Sequence, residues 1–216
     1  MIIKKLLLAA TAAVLLCSTV AQAQDANAKS ILESASKKMN SLKTLKANFM
    51  LKLLGNGGKV RETKKGTFLM KGPKYHIILT GQEIICDGKT VWTYMKDANE
   101  VQVSTYNPSE QTVSPTKLFT NFYDKEYSYN YLGTRKVAGK NCNIIEMLPV
   151  NKSKQFTKVE LAIDNNSTIA GGNIFEKNGN QYQYEVSGFT ANAALADSQF
   201  TFDAKAHPGV EVVDLR

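Results

Sequence analysis

The residues that could perform catalysis or bind a metal are few and scattered in this sequence. It contains only two histidines, His76 and His207, and two cysteines beyond the N-terminal segment, Cys86 and Cys142. No nucleophile elbow, zinc-binding helix motif, phosphate-binding loop or dinucleotide-binding glycine pattern occurs. Asp87 stands before a glycine between two short apolar runs, which is better explained by a hairpin turn than by a catalytic acid. We therefore expect a protein that is not an enzyme, with no catalytic residue, no metal site and no cofactor.

The two cysteines leave two interpretations open. In an oxidising compartment Cys86 and Cys142 could form a disulfide. Alternatively, each is a separate buried thiol that packs as a small apolar side chain. Their spacing in the sequence favours neither interpretation.

The N-terminal segment predicts export. Lysines near the start, an apolar run over residues 6–17 and a small-x-small sequence ending at Ala23 are typical of a cleavable secretory signal peptide. The run is shorter than the roughly 20 apolar residues of a transmembrane helix. Lipidation of Cys17 is disfavoured because a leucine precedes it, where a small residue would be expected. We expect residues 1–23 to be removed and residues 24–216 to form a single exported domain.

Composition and charge narrow the class of protein. The 216 residues are 43% apolar and 21% charged, with a formal net charge of +8. These values are ordinary for a globular protein and exclude collagen-like, disordered and coiled-coil chains. A basic excess is compatible with contact with an anionic surface, but export argues against nucleic acid as a partner.

Hydrophobic periodicity predicts one helix followed by a long series of strands. Apolar residues recur at helical spacing over residues 30–42, where Ser30 and Glu33 would form a capping box. Over residues 45–53 the period changes to two, as in a strand with one apolar face. About ten or eleven short strands follow one another, separated by turn residues. This succession predicts one antiparallel sheet rather than alternating strands and helices.

One apolar segment interrupts the strand series. Residues 114–123 begin with Ser-Pro and predict a helix with one strongly apolar face. Large apolar side chains also lie on one face of many strands. These side chains either fill a solid core or, if the sheet curls, line a concave apolar surface that the helices close. The pattern alone does not separate a filled barrel from a hollow one.

The order of the motifs resembles the LolA-type periplasmic carriers of outer-membrane lipoproteins, from the helix at Ser30 to the C-terminus. The motifs that carry the resemblance are Gly66-x-Phe68-x-Met70-Lys71-Gly72-Pro73, Ile85-x-Asp87-Gly88-Lys89-Thr90-Val91-Trp92-x-Tyr94, and Phe200-x-Phe202 with Pro208-Gly209-Val210-x-Val212. One departure is Gly72, where many members of the family carry an arginine that helps to hold a lid closed.

The resemblance implies a mainly β fold: an incomplete, unclosed antiparallel barrel of about eleven strands, with the N-terminal helix and the inserted helix as a lid. It also implies a monomeric periplasmic carrier that takes triacylated lipoproteins from a Lol-type inner-membrane ABC transporter, shields their acyl chains and delivers them to the outer membrane. An alternative is a periplasmic binder or sensor of lipids or lipoproteins that does not transport them. The acyl-chain-binding residues implied in this way are Phe49, Leu51, Leu53, Phe68, Met70, Tyr75, Ile77, Leu79, Trp92, Tyr94, Leu118, Phe119 and Phe122.

Overall fold

The computed structural model describes residues 25–107 and 126–216, and within these ranges the chain forms one α-helix and twelve strands of one sheet. The elements are α1 (Ala26–Ser41), β1 (Thr44–Leu54), β2 (Val60–Lys71), β3 (Lys74–Leu79), β4 (Gln82–Cys86), β5 (Thr90–Met95), β6 (Glu100–Thr105), β7 (Tyr127–Val137), β8 (Lys140–Pro149), β9 (Phe156–Asp164), β10 (Ile169–Glu176), β11 (Gln181–Ala191) and β12 (Glu211–Asp214).

Helix α1 packs through a single apolar stripe. Ala28, Leu32, Ala35 and Met39 are all 0% exposed, and their spacing places them on one side of the helix. The predicted capping box at Ser30 is wrong because the helix begins four residues earlier. Asp25 is the N-cap and accepts hydrogen bonds from the N–H groups of residues 27 and 28. An aspartate at this position satisfies helix N–H groups that have no partner within the helix.

The strands form a single unclosed sheet in the order β12-β6-β5-β4-β3-β2-β1-β11-β10-β9-β8-β7. All neighbouring strands are antiparallel except β12, which pairs in parallel with β6. The predicted incomplete barrel is thus confirmed, with twelve strands in the described residues instead of about eleven. The extra strand, β12, has only four residues and pairs with a strand more than 100 residues away, so local patterns do not reveal its partner.

The hairpin predicted at Asp87 is confirmed. Its carboxylate accepts hydrogen bonds from the N–H groups of Lys89 and Thr90, both at 2.8 Å. Gly88 follows with a φ of +94°, a conformation that glycine adopts without steric cost. Asp87 is therefore a turn residue that joins β4 to β5.

The two faces of the sheet are packed differently. We call the face on which α1 packs the inner face, and it carries the main core cluster, with residues from α1, β1–β4 and β7–β11. On the outer face, a smaller cluster contains Cys142, Ile144, Ala162 and Ala170. Within the described residues no helix is long and apolar enough to cross a membrane.

The segment between β11 and β12, residues 192–210, covers part of the outer face. We call it the C-terminal segment. Phe200 is fully buried, and Phe202 lies 5.3 Å from the ring of Tyr94 on β5, measured between ring centroids. His207 packs against both rings, at 4.5 Å from Tyr94 and 4.6 Å from Phe202. This histidine is therefore part of an aromatic cluster that holds the end of the chain on the sheet.

Candidate functional site: the apolar inner face

Most of the predicted lining residues come together on the inner face. Cross-strand pairs place Phe68 opposite Ile77 and Met70 opposite Tyr75, between β2 and β3. All four belong to the main core cluster and are 3–5% exposed. Because directly paired residues on neighbouring strands share a face, the alternation of β2 and β3 brings these side chains together.

Three further predicted residues pack against this cluster and remain partly exposed: Phe49, Leu51 and Leu79. Leu53 is also partly exposed, and its alternation with Leu51 places it on the same face of β1. The Phe49 ring lies directly over Gly66, since a Cβ added at Gly66 would lie 2.5 Å from its Cζ atom. Glycine at position 66 therefore makes room for an aromatic ring on the inner face.

The inner face divides into two regions by exposure. In the covered region, Leu45 and Ala47 at the start of β1, Ile145 on β8 and Leu161 on β9 are at most 1% exposed. Helix α1 packs on β7 and β8, and its buried residues belong to the same core cluster as these four side chains. In the open region, Phe49, Leu51, Leu53 and Leu79 are partly exposed.

Trp92 and Tyr94 were predicted to join this surface, and the structure places them on the outer face instead. Cys86, which faces inward, pairs with Val91, so the inward positions of β5 are Val91 and the alternate residues after it. Tyr94 packs against the C-terminal segment and donates a hydrogen bond to Asn99 at 3.0 Å. A shift of one residue in register reverses the face of every side chain in a strand, and the register of β5 is set by the hairpin turn that precedes it.

The inner face also contains apolar residues that the sequence analysis does not predict to lie there. Val91 and Ile84 pack against the core cluster, and Tyr184 and Val186 on β11 belong to it. The alternation of residues 182, 184 and 186 was a usable signal for β11. Val159, Leu161 and Ile163 on β9 also belong to the cluster, and their alternation is visible in the sequence, although both faces of this strand are buried from residue 159 to residue 164.

The helix predicted at residues 114–123, with Leu118, Phe119 and Phe122, lies outside the described residues. That these three side chains cover the inner face therefore stays a prediction.

The disulfide interpretation of the cysteines is wrong in this structure. Cys86 and Cys142 are both free and buried. Cys86 lies in the inner-face cluster on β4, whereas Cys142 lies in the outer-face cluster on β8. Six strands of the sheet separate β4 from β8. Burial raises the pKa of both thiols, which keeps them protonated and unreactive.

Gly72 lies in the turn between β2 and β3. Gly72 has a φ of +56°, in the left-handed region that favours glycine. The flanking Lys71 and Lys74 both contact the Oδ1 atom of Asp197, at 3.3 and 2.8 Å. These two lysines therefore hold the C-terminal segment on the outer face of the sheet.

Most of the charged side chains with defined partners are on the outer face or the rim. His76 is bonded to Glu83 at 2.9 Å, and Glu83 also pairs with Lys96 at 2.7 Å. Burial raises the pKa of Glu83, but the hydrogen bonds from Lys96 and His76 outweigh this effect and leave the pKa below its ordinary value. His76 is thus held in an outer-face ion cluster, as a structural residue.

A polar cleft of about 170 Å³ also lies on the outer face, between the β7–β8 hairpin and β9–β11. Its lining includes Arg135, Glu160, Asn173 and Gln183. Arg135 pairs with Glu160 at 3.2 Å across the cleft. This lining is chemically unlike the inner face, and within the described residues no group of His, Cys, Asp and Glu side chains is arranged to hold a metal ion.

Comparison with known proteins agrees with this architecture. The family model for the outer membrane lipoprotein carrier protein LolA matches residues 40–203. The chain belongs to the LolA family. This confirms the resemblance seen in the motifs around Gly66 and Asp87, and the proteins of this family are named as carriers.

Individual relatives are distant but cover most of the chain. An outer-membrane lipoprotein carrier protein of Shewanella sp. (strain MR-7) is 29% identical over 203 residues, which is 92% of each chain. One from Legionella pneumophila (strain Corby) is 23% identical over 179 residues, covering 82% of this chain and 86% of its own. Among solved structures, an uncharacterized conserved protein from Thermus thermophilus matches with a TM-score of 0.59 and 13% identity, over 87% of this chain and 99% of that one. That last similarity supports the fold alone.

Proposed function

We propose that this protein is a periplasmic carrier that shields the acyl chains of lipoproteins and moves them from the inner to the outer membrane. In this proposal the signal peptide at residues 1–23 directs export and is removed. The mature protein, a monomer, receives triacylated lipoproteins from a Lol-type inner-membrane ABC transporter and passes them to an outer-membrane acceptor. No catalytic step or cofactor is needed.

The observation that carries the proposal is the open region of the inner face. Large apolar side chains at Phe49, Leu51 and Leu79 are only partly covered, although they adjoin a fully buried core. Each methylene group of an acyl chain gains about 0.8 kcal/mol when it leaves water. A lipoprotein with several acyl chains therefore cannot cross an aqueous compartment unshielded, and a partly open apolar surface provides that shielding.

Leu51→Asp tests the proposal, with Met50→Asp as the matched control. The two residues are neighbours on β1 and both are partly exposed, but they point to opposite faces of the sheet. A carboxylate at position 51 would lose its water when an acyl chain binds, which costs several kcal/mol, and the opposite residue Lys64 is already paired with Glu62 at 3.2 Å. Leu51→Asp should therefore weaken acyl-chain binding by at least about tenfold, and Met50→Asp should not. Phe68 and Ile77 are unsuitable for this test because they are 3% and 5% exposed, so a charge there would unfold the protein.

The measurement uses mature protein incubated with inner-membrane vesicles that contain the transporter and a labelled lipoprotein. Release of lipoprotein into the soluble fraction, in a one-to-one complex by native mass spectrometry, is the expected result. If the protein binds an isolated lipoprotein but never releases one from the vesicles, it is a binder or sensor and the transport proposal is wrong. Equal activity of the two aspartate variants would show that the inner face is not the acyl-chain site.

A further inference from the structure

Tyr184 carries a buried hydroxyl group without a hydrogen-bond partner. Among the described residues, three buried side-chain polar atoms lack a partner, and of these only the Tyr184 Oη atom belongs to the inner-face cluster. The residue is 8% exposed. Other buried hydroxyls are satisfied: Thr44 Oγ1, for example, donates to the carbonyl oxygen of residue 193 at 2.6 Å. Because buried polar groups are normally paired, the unpaired phenol requires an explanation.

The phenol is held in its place by the backbone around it. Tyr184 pairs with Leu51 across β1 and with Gly172 across β10. A Cβ added at Gly172 would lie 2.6 Å from the Tyr184 Oη atom and 2.8 Å from its Cζ atom. The end of the ring therefore occupies the space above Gly172, and any larger residue at that position would displace it.

This position is the boundary between the two regions of the inner face. On one side of Tyr184 is Leu51 of the open region, and on the other side, beyond Gly172, is Leu161 of the covered region. Burial raises the pKa of Tyr184 well above its ordinary value, so the group is a neutral hydrogen-bond donor at any physiological pH. Within the described residues no acceptor forms a hydrogen bond with it.

An acyl chain linked through an ester or amide brings an acceptor of the required kind. Its carbonyl oxygen accepts hydrogen bonds but does not donate them, and it stands at the junction between the hydrocarbon chain and the polar head group. A chain bound on the inner face would carry that oxygen into the apolar surroundings, where it too needs a partner. Donor and acceptor would thus satisfy each other.

We propose that the Tyr184 hydroxyl recognises the carbonyl oxygen of the ester or amide linkage of a bound acyl chain. The head group then lies towards Leu51 and Leu53, where the inner face is partly exposed, because it must remain in contact with water. This inference rests on the carrier function proposed above and adds to it a residue that distinguishes acyl chains from plain hydrocarbon.

A matched pair of lipids tests the inference: monopalmitoylglycerol and its ether analogue hexadecylglycerol, which has the same chain length but no carbonyl group. Each is titrated, below its aggregation concentration, against the mature protein carrying an apolar fluorescent probe, and displacement of the probe gives the affinity. The wild type should bind the ester about 3- to 10-fold more tightly than the ether, which is the equivalent of one net hydrogen bond. Tyr184→Phe should bind both lipids with the affinity of the ether.

The control is Tyr182→Phe, on the same strand and face but partly exposed, opposite Leu53. This variant should keep the ester preference. Tyr184→Phe should melt at the same temperature as the wild type or higher, because it removes a buried hydroxyl that has no partner.

The outcomes separate the two proposals. If neither lipid binds the wild type, the carrier function is refuted, together with the inference that rests on it. If both lipids bind equally, or if the ester preference survives Tyr184→Phe, only the role of Tyr184 is refuted. A markedly lower melting temperature for Tyr184→Phe would show that the hydroxyl already has a partner in the folded protein, and would also overturn the inference.

Discussion

The covered and open regions of the inner face share the same alternation of apolar residues but differ in how far these side chains are exposed. Along β1 the apolar residues alternate without a break from Leu45 to Leu53. The first two, Leu45 and Ala47, are 0% and 1% exposed, whereas Phe49, Leu51 and Leu53 are partly exposed. Leu45 and Ala47 belong to the same buried cluster as the apolar stripe of α1, whereas Phe49 and Leu51 only pack against that cluster. One apolar face is thus a buried core at one end and a partly exposed surface at the other.

The largest effect expected from this comparison is on stability, in the covered region. Leu45→Ala should lower the free energy of unfolding by about 2–5 kcal/mol, because a fully buried leucine leaves a cavity when it is truncated. Leu51→Ala, in the open region, should cost about 1 kcal/mol and should weaken acyl-chain binding instead. Urea unfolding gives the first quantity, and displacement of an apolar probe gives the second. Equal losses of stability in the two variants would show that the regions do not differ in the way described.

A smaller effect, dependent on pH, is expected at the turn on which α1 docks. Lys38 of α1 donates to the Asn166 carbonyl oxygen at 2.6 Å and to Thr168 Oγ1 at 2.8 Å. Asp164 organises this turn by accepting from the Thr168 N–H at 2.9 Å and from Lys140 Nζ at 3.0 Å. Burial raises the pKa of Asp164, but these hydrogen bonds outweigh it and leave the pKa below its ordinary value.

Because the pKa of Asp164 is lower in the folded than in the unfolded protein, the stabilisation is complete above the unfolded value of about 3.9 and is lost as the pH falls through the folded value. Asp164→Asn should therefore be less stable than the wild type at neutral pH, and the difference should shrink as the solution is acidified below about pH 4. Urea unfolding at a series of pH values measures this. The control is Asp97→Asn, in an exposed turn. The free energy of unfolding of this variant should vary with pH in the same way as that of the wild type. If the difference in stability between Asp164→Asn and the wild type stays constant down to about pH 2, the ionised carboxylate of Asp164 is not the stabilising group.

The smallest effect concerns the cysteines, which belong to opposite faces of the sheet. Since Cys86 and Cys142 are free, a reducing agent should leave the melting temperature of the mature protein unchanged. Denatured, unreduced mature protein should titrate two thiols. Finding none, together with a lower melting temperature after reduction, would establish a disulfide and would require a different packing of β4 and β8.

Several elements of the fold follow from patterns within short stretches of the sequence. The helix near residue 30, the hairpin at Asp87 and most of the strands follow from periodicity and turn chemistry, which act within about ten residues. The helix start was misplaced, because an aspartate and a serine are both good N-caps and Asp25 gains an additional bond to the Tyr131 N–H on a strand about 100 residues away. A contact at that distance leaves no local pattern.

By itself, the sequence determined the mainly β class, the family and the apolar alternation that supplies Phe68, Met70, Tyr75 and Ile77 to one face. These depend on side-chain types at short spacing, and the pleat of a strand converts such spacing directly into a face. Only the tertiary structure decided that Trp92 and Tyr94 face outward, that the cysteines are apart, and that Leu45 is buried while Leu51 is partly exposed. Each of those outcomes is set by strand register and by packing between distant segments, and the free energy of such contacts depends on neighbours that no local stretch of sequence contains.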